Sequence, residues 1–144
     1  MLTREEISKR FATTDKEGSA SSMFIYGDTI YSYGYHFPIA RKTGKLDSAG
    51  RPIALFTCRG YSMTTAHHKS YVYRALLEAG YRIIVTDISE VRVSESALNF
   101  LKKEIEEAQQ KALRARKEDM HEYWKNQEAR SRADIATLQS AFNL

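Results

Sequence analysis

The chain is predicted to be an α+β protein: a small, mostly antiparallel sheet with one packed helix, a capped N-terminal helix, and a long C-terminal helical arm. Three observations carry that expectation. All seven glycines and both prolines fall between Gly18 and Gly80, which marks that region as turn-rich and strand-bearing. From Ser94 onward there is neither glycine nor proline, while Leu98, Leu101, Ile105, Ala108 and Ala112 recur at helical spacing. With 144 residues the chain has room for one full core and an appendage rather than two cores. The expected division is a core domain over residues 1–93 and a helical arm over residues 94–144.

The elements follow in order. "LTREEI" reads as a helix start, with Thr3 as N-cap, Glu6 closing a capping box, and Leu2 and Ile7 spaced for a hydrophobic staple. That helix is expected to reach about Phe11, with "TTDKEGSASS" a loop after it. "SMFIYGDTIYSYGY" reads as two strands joined at Gly27-Asp28, a two-residue turn whose leading glycine suits type II′. Tyr31, Tyr33, Tyr35 and Phe37 then alternate with Ile30, Ser32, Gly34 and His36. The second set is small, so the aromatics are expected in the core and His36 on the open side, just before Pro38. "KTGKLDSAGRP" has loop composition, and "PIALFTC" reads as a strand buried on both faces.

Thr64 or Thr65 is placed to cap the next helix, which ends at Gly80. On it His68, Val72, Ala75, Leu76 and Ala79 share one face, with His67, Tyr71 and Arg74 beside it. "YRIIVTDI" follows as a strand, giving a strand–helix–strand unit. In the arm the apolar stripe weakens across "RARKEDMHEYWKNQEARSR" and recovers at Ile135, Leu138 and Phe142. The arm reads as one long helix with a break near Arg130–Ser131, or as two helices. Unbroken, its roughly 48 residues would span about 70 Å, at about 1.5 Å per residue. A small core cannot cover that length, so the arm folds back as a hairpin or pairs with another chain, making a homo-oligomer.

Composition narrows the function classes. A hydrophobic share of 42% and a charged share of 28% are ordinary for a folded domain. No apolar run approaches the roughly 20 residues that span a bilayer, and "MLTREEISKRF" is too charged and interrupted for a secretory signal. Cys58 is the one cysteine, which excludes an internal disulfide and any multi-cysteine metal site and points to a reduced, cytoplasmic compartment.

The net charge of +4 is unevenly spread. Residues 95–144 carry nine acids and nine bases, so the excess lies entirely in residues 1–94. Between His36 and Arg74 seven Lys and Arg face Asp47 alone, and three of the four histidines lie there too. A cationic centre of this kind calls for an anionic partner, nucleic acid above all.

The stretch "TCRGYSMTTAHHKS", residues 57–70, sets a strand end, a glycine turn, hydroxyls and a helix start in sequence. Free N–H groups and the positive end of the helix dipole favour an anion there. Arg59 can grip an oxygen pair, and Lys69 adds charge. The candidate ligand-binding residues are His36, Arg41, Arg59, Ser62, Thr64, Thr65, His67 and Lys69. Simple helix capping accounts for the hydroxyls equally well. Gly60 stands alone with no GK[ST] after it, so this is not a nucleoside triphosphate loop.

His68, aimed at the apolar face, reads first as a core histidine. His36 and His68 are the candidate acid–base pair should the chain cleave phosphodiesters without metal. Zinc needs three or four ligands, which adjacent His67 and His68 without a second cysteine do not supply; no metal or cofactor is expected. Tyr123 and Trp124, aromatic among charges, are candidate partner anchors.

The segments "YGYHFPIA" (residues 33–40) and "YSMTTAHH" (residues 61–68), with "PIALFTCRG" between them, resemble small bacteriophage-encoded proteins of unknown function. Those proteins carry paired Tyr-Gly-x-His-[Phe/Tyr]-Pro-[Ile/Leu]-Ala and Tyr-Ser-x-Thr-Thr-x-x-His segments. The resemblance covers about residues 22–90 and leaves out the arm. It implies a phage accessory protein working in the host-cell cytoplasm, in nucleic-acid handling or in neutralising host defences. Its matching positions are Tyr35, His36, Ser62, Thr64, Thr65 and His68, and it assigns no role to any of them.

The leading expectation is therefore a protein that binds a phosphate-bearing ligand, RNA or DNA, at the Arg/His/Thr centre. The alternatives are an anti-defence protein that inhibits a host nuclease in the manner of an anti-CRISPR, and a small metal-independent nuclease or phosphodiesterase.

Overall fold

The computed structural model describes residues 2–34, 37–60, 62–88 and 95–143. The fold is α+β, with a six-stranded sheet and four helices. The chain divides into two compact units, Met1–Val91 and Arg92–Leu144. The first holds α1 (Arg4–Thr13), β1 (Gly18–Ser19), β2 (Met23–Tyr26), β3 (Thr29–Ser32), β4 (Pro38–Leu46), β5 (Pro52–Thr57), α2 (Met63–Glu78) and β6 (Arg82–Thr86). The second holds α3 (Glu95–Arg114) and α4 (Glu118–Phe142).

In the first unit the strands lie side by side in chain order. Each neighbouring pair is antiparallel except β5 and β6, which are parallel and joined through α2. The capping box forms as expected: Glu6 N–H donates to Thr3 Oγ1 (3.1 Å) and Thr3 N–H to Glu6 Oε1 (3.2 Å). Gly27, at φ 62, opens the β2–β3 turn, and Asp28 stays at negative φ, as a type II′ turn requires. Gly80, at φ 84, ends α2. Its N–H reaches Leu77 O and the Tyr81 N–H reaches Leu76 O, so two orphan carbonyls are satisfied.

The core lies between α1, α2 and one face of the sheet. Ile7 and Phe11 from α1, Val72 and Leu76 from α2, and Met23, Ile30 and Ala54 from the strands meet there. Ile53, Leu55 and Ile84, which alternate with these along β5 and β6, are buried as well, so β5 is covered on both faces as its composition predicts.

Four expectations are corrected. The tyrosine ladder is inverted: Ile30 and Ser32 are fully buried under the helices, Tyr31 is half-buried on the other face against Phe24 (ring centroids 5.0 Å, 15°), and Tyr33 is 58% exposed. Ser32 is small, but His68 reaches down from α2 and fills the space above it. The strand also stops at Ser32. Tyr33 takes φ 67 and the Gly34 N–H turns back to Ser32 O (2.9 Å), which ends the alternation that would have carried Tyr33 and Phe37 inward. Tyr35 and His36 lie outside the described residues.

The "KTGKL" that opens the expected loop is strand instead, since β4 runs to Leu46 and the turn is confined to residues 47–51. The N-cap of α2 is Ser62, not Thr64 or Thr65. The arm breaks at residues 115–117, not at Arg130–Ser131. There α3 closes on Lys111 and Arg114 while α4 opens on Glu118 and Asp119, each charge suited to its helix end.

The second unit is a helical hairpin, one of the two expected outcomes for the arm. Leu101, Ile105, Ala108 and Ala112 are buried along α3, and Ser131, Asp134 and Leu138 along α4. His121 Nδ1 lies 2.8 Å from Ala112 O. Glu128 accepts from Arg132 and from Gln109 across the pair, and these bonds hold its carboxyl below the usual glutamate range. Among the described residues no helix is long and apolar enough to cross a membrane.

A basic groove and a buried histidine network on helix α2

Helix α2 turns two different faces to its surroundings. Inward, His68 is fully buried and both ring nitrogens have hydroxyl neighbours: Ser32 Oγ lies 2.7 Å from Nδ1 and Ser22 Oγ 3.0 Å from Nε2. Ser32 Oγ lies 3.3 Å from Thr65 Oγ1, to which Ser62 Oγ donates (3.2 Å); Ser62 Oγ in turn caps the Thr65 N–H. A hydroxyl both donates and accepts, so one serine serves the protonated nitrogen and the other the bare one in either tautomer. Burial holds the imidazole below the usual histidine range, and the nearby charges of Arg4 and His67 push the same way. The arrangement locks α2 to β3 with a neutral ring.

Outward, α2 borders an open groove of about 530 Å³ lined by Phe56, Lys69, Ser70, Tyr73, Arg74 and Leu77. Phe56 forms its floor and meets the Tyr73 ring edge-on at 5.3 Å. Lys69 stands 5.7 Å above the Phe56 ring and donates to Arg59 O (2.9 Å), which holds its stem along the wall. Arg74 is exposed and has no hydrogen-bond or ion-pair partner among the described residues. No carboxylate among the described residues lines the groove. Two cations therefore flank the two rings, neither of them in an ion pair among the described residues.

The candidate residues separate accordingly. Buried Thr65 and His68 come together in the network, which exposed Ser62 joins from the helix start. Lys69 reaches the Arg59 backbone carbonyl, while the Arg59 guanidinium faces Asp87 (3.6 Å) and does not line the groove. Thr64 is half-buried and His67 is exposed. Arg41 stands apart from all of these. It pairs with Leu55 while its neighbour Ala40 pairs with Phe56, so it points away from α2. Only 8% exposed, it donates to Thr29 Oγ1 (3.1 Å) and Ile88 O (3.2 Å), bracing the second sheet face rather than offering its guanidinium to solvent. His36 lies outside the described residues, so its pairing with His68 does too. Tyr123 is exposed, and Trp124 is half-buried beneath Lys111.

Sequence reasoning missed Ser22 and Ser32, whose role depends on a long-range contact, and Asp87 beside Arg59. It also missed the groove as a unit, although Lys69, Ser70, Tyr73, Arg74 and Leu77 follow the 1, 4, 5, 8 spacing of a helix face. Among the described residues no three His, Cys, Asp or Glu side chains are grouped to hold a metal.

The class these features define is an α+β core with a basic, aromatic helix face, followed by a helical hairpin. Comparison with protein-family models, curated proteins and solved structures gives no match.

Proposed function

We propose that the chain is a nucleic-acid-binding accessory protein whose core unit takes single-stranded RNA or DNA along the outer groove of α2. The observation that carries this reading is the placement of Lys69 and Arg74 beside the exposed Tyr73 ring, packed edge-on over the buried Phe56, in a groove with no carboxylate among its described lining residues. Cations beside a strand's phosphates and rings beneath its bases are the two ingredients of sequence-tolerant single-strand binding. Arg59 extends the cationic track toward the start of α2, where Asp87 competes for it. A phage setting in the host cytoplasm rests on the paired YGxHFPIA and YSxTTxxH segments.

The test is fluorescence anisotropy of labelled oligo-dT and oligo-U against the wild type and Arg74→Gln. Arg74 has no hydrogen bond or ion pair among the described residues, so its loss should weaken binding without disturbing the fold; unchanged affinity refutes the proposal.

A further inference from the structure

A second basic cavity lies within the hairpin, at the turn between α3 and α4. It is open to solvent, with a volume of about 290 Å³, and Lys111, Arg114, Arg116, Lys117, Met120 and Trp124 line it. No carboxylate is among the lining residues. Lys111 packs over the indole at 4.4 Å, and none of the four cations has a salt bridge or side-chain hydrogen bond among the described residues.

Helix-end electrostatics explain only half of this charge. Lys111 and Arg114 sit in the last turn of α3, where exposed carbonyls favour cations. Arg116 and Lys117 lie beyond it. Lys117 occupies the N-cap of α4 (φ −94, ψ 138) and makes no capping hydrogen bond. That position favours Ser, Thr, Asp or Asn, and a cation there faces the positive end of the helix dipole. Local stability therefore argues against Lys117, and a ligand anion would reverse the argument.

We propose that this cavity is a nucleotide subsite, in which Arg116 and Lys117 hold a phosphate and the Trp124 indole receives the attached base. The volume lies at the small end of ligand sites, roughly 300–1,000 Å³, which suits one ring and its phosphate rather than a peptide chain. Of the exposed apolar side chains Leu113, Met120 and Tyr123, which an anionic membrane would engage, Met120 lines it and the other two do not. The ligand class matches that proposed for the α2 groove, but the site stands on its own residues.

Trp124 is the chain's one tryptophan, so its emission reports this cavity and not the groove. Full-length protein titrated with oligo-dT should show saturable Trp124 quenching, weakened on the order of tenfold in Arg116→Gln/Lys117→Gln. Lys117→Ser should raise the hairpin's melting temperature while weakening the quenching. Emission that ignores the strand, or a double variant that quenches like the wild type, overturns the proposal. Equal quenching by inorganic phosphate alone, or quenching only by phosphatidylserine vesicles, also overturns it, since neither presents a base.

Discussion

Replacing Ser32 by alanine isolates the contact that joins α2 to the sheet. Ser32 and His68 are both fully buried, and their 2.7 Å contact is the shortest in the network. Removing the hydroxyl strands one imidazole nitrogen without water, which costs about 1–3 kcal/mol. Ser22→Ala removes the partner of the other nitrogen, but Ser22 is half-buried and water can replace it; that loss should stay below about 1 kcal/mol. Urea unfolding followed by tyrosine near-UV circular dichroism in a Tyr123→Phe background reads the core unit, which holds the other eight of the nine tyrosines. With a slope of about 1–3 kcal/mol per molar urea, Ser32→Ala should lower the midpoint by roughly 1 M. Pairing Ser32→Ala with His68→Leu removes both polar partners, so the double variant should lose less than the two single losses added together, by at least about 0.5 kcal/mol. Additive losses, or a Ser32→Ala variant as stable as the wild type, would refute the network as the clamp between α2 and β3.

Two further outcomes follow from the same geometry. His68 titrates below its unfolded value, so both states are neutral there above about pH 6.5. As pH falls toward the folded value, the unfolded chain binds a proton that the folded core refuses. Stability should then drop by up to about 1.4 kcal/mol per pH unit, and His68→Gln should remove that part of the slope in urea melts between neutral and mildly acidic pH. In the hairpin, Lys117→Ser should add about 1 kcal/mol through a new N-cap, measured by Trp124 emission on heating; no gain would mean that α4 does not begin where its backbone places it.

Local signals were read well wherever a few neighbouring residues decide the geometry. The Thr3–Glu6 box, the Gly27 turn, the Gly80 helix end and the doubly buried "PIALFT" strand all depend on contacts close in sequence or on composition alone. The tyrosine ladder failed because its facing was settled by His68, a residue 36 positions away that fills the space over Ser32. Volume on the strand alone could not show that filling. The break in the arm was legible after all, in the switch from "RARK" to "ED" at residues 114–119. A fading apolar stripe drew attention further along instead. At the candidate site, the hydroxyls flagged as ligand donors include two, Ser62 and Thr65, that serve the helix cap and the buried network. The groove needed Phe56 brought beside α2, and no local pattern encodes that meeting.

The most direct test of the account is the salt dependence of single-strand binding. Each phosphate contact on a single strand contributes about −0.7 to the slope of log K against log salt concentration. Neutralising Lys69 and Arg74 together, as Lys69→Gln/Arg74→Gln, should make that slope shallower by about 1.4 while far-UV circular dichroism stays unchanged. A slope equal to that of the wild type would place the bound strand elsewhere and contradict the α2 groove as its site.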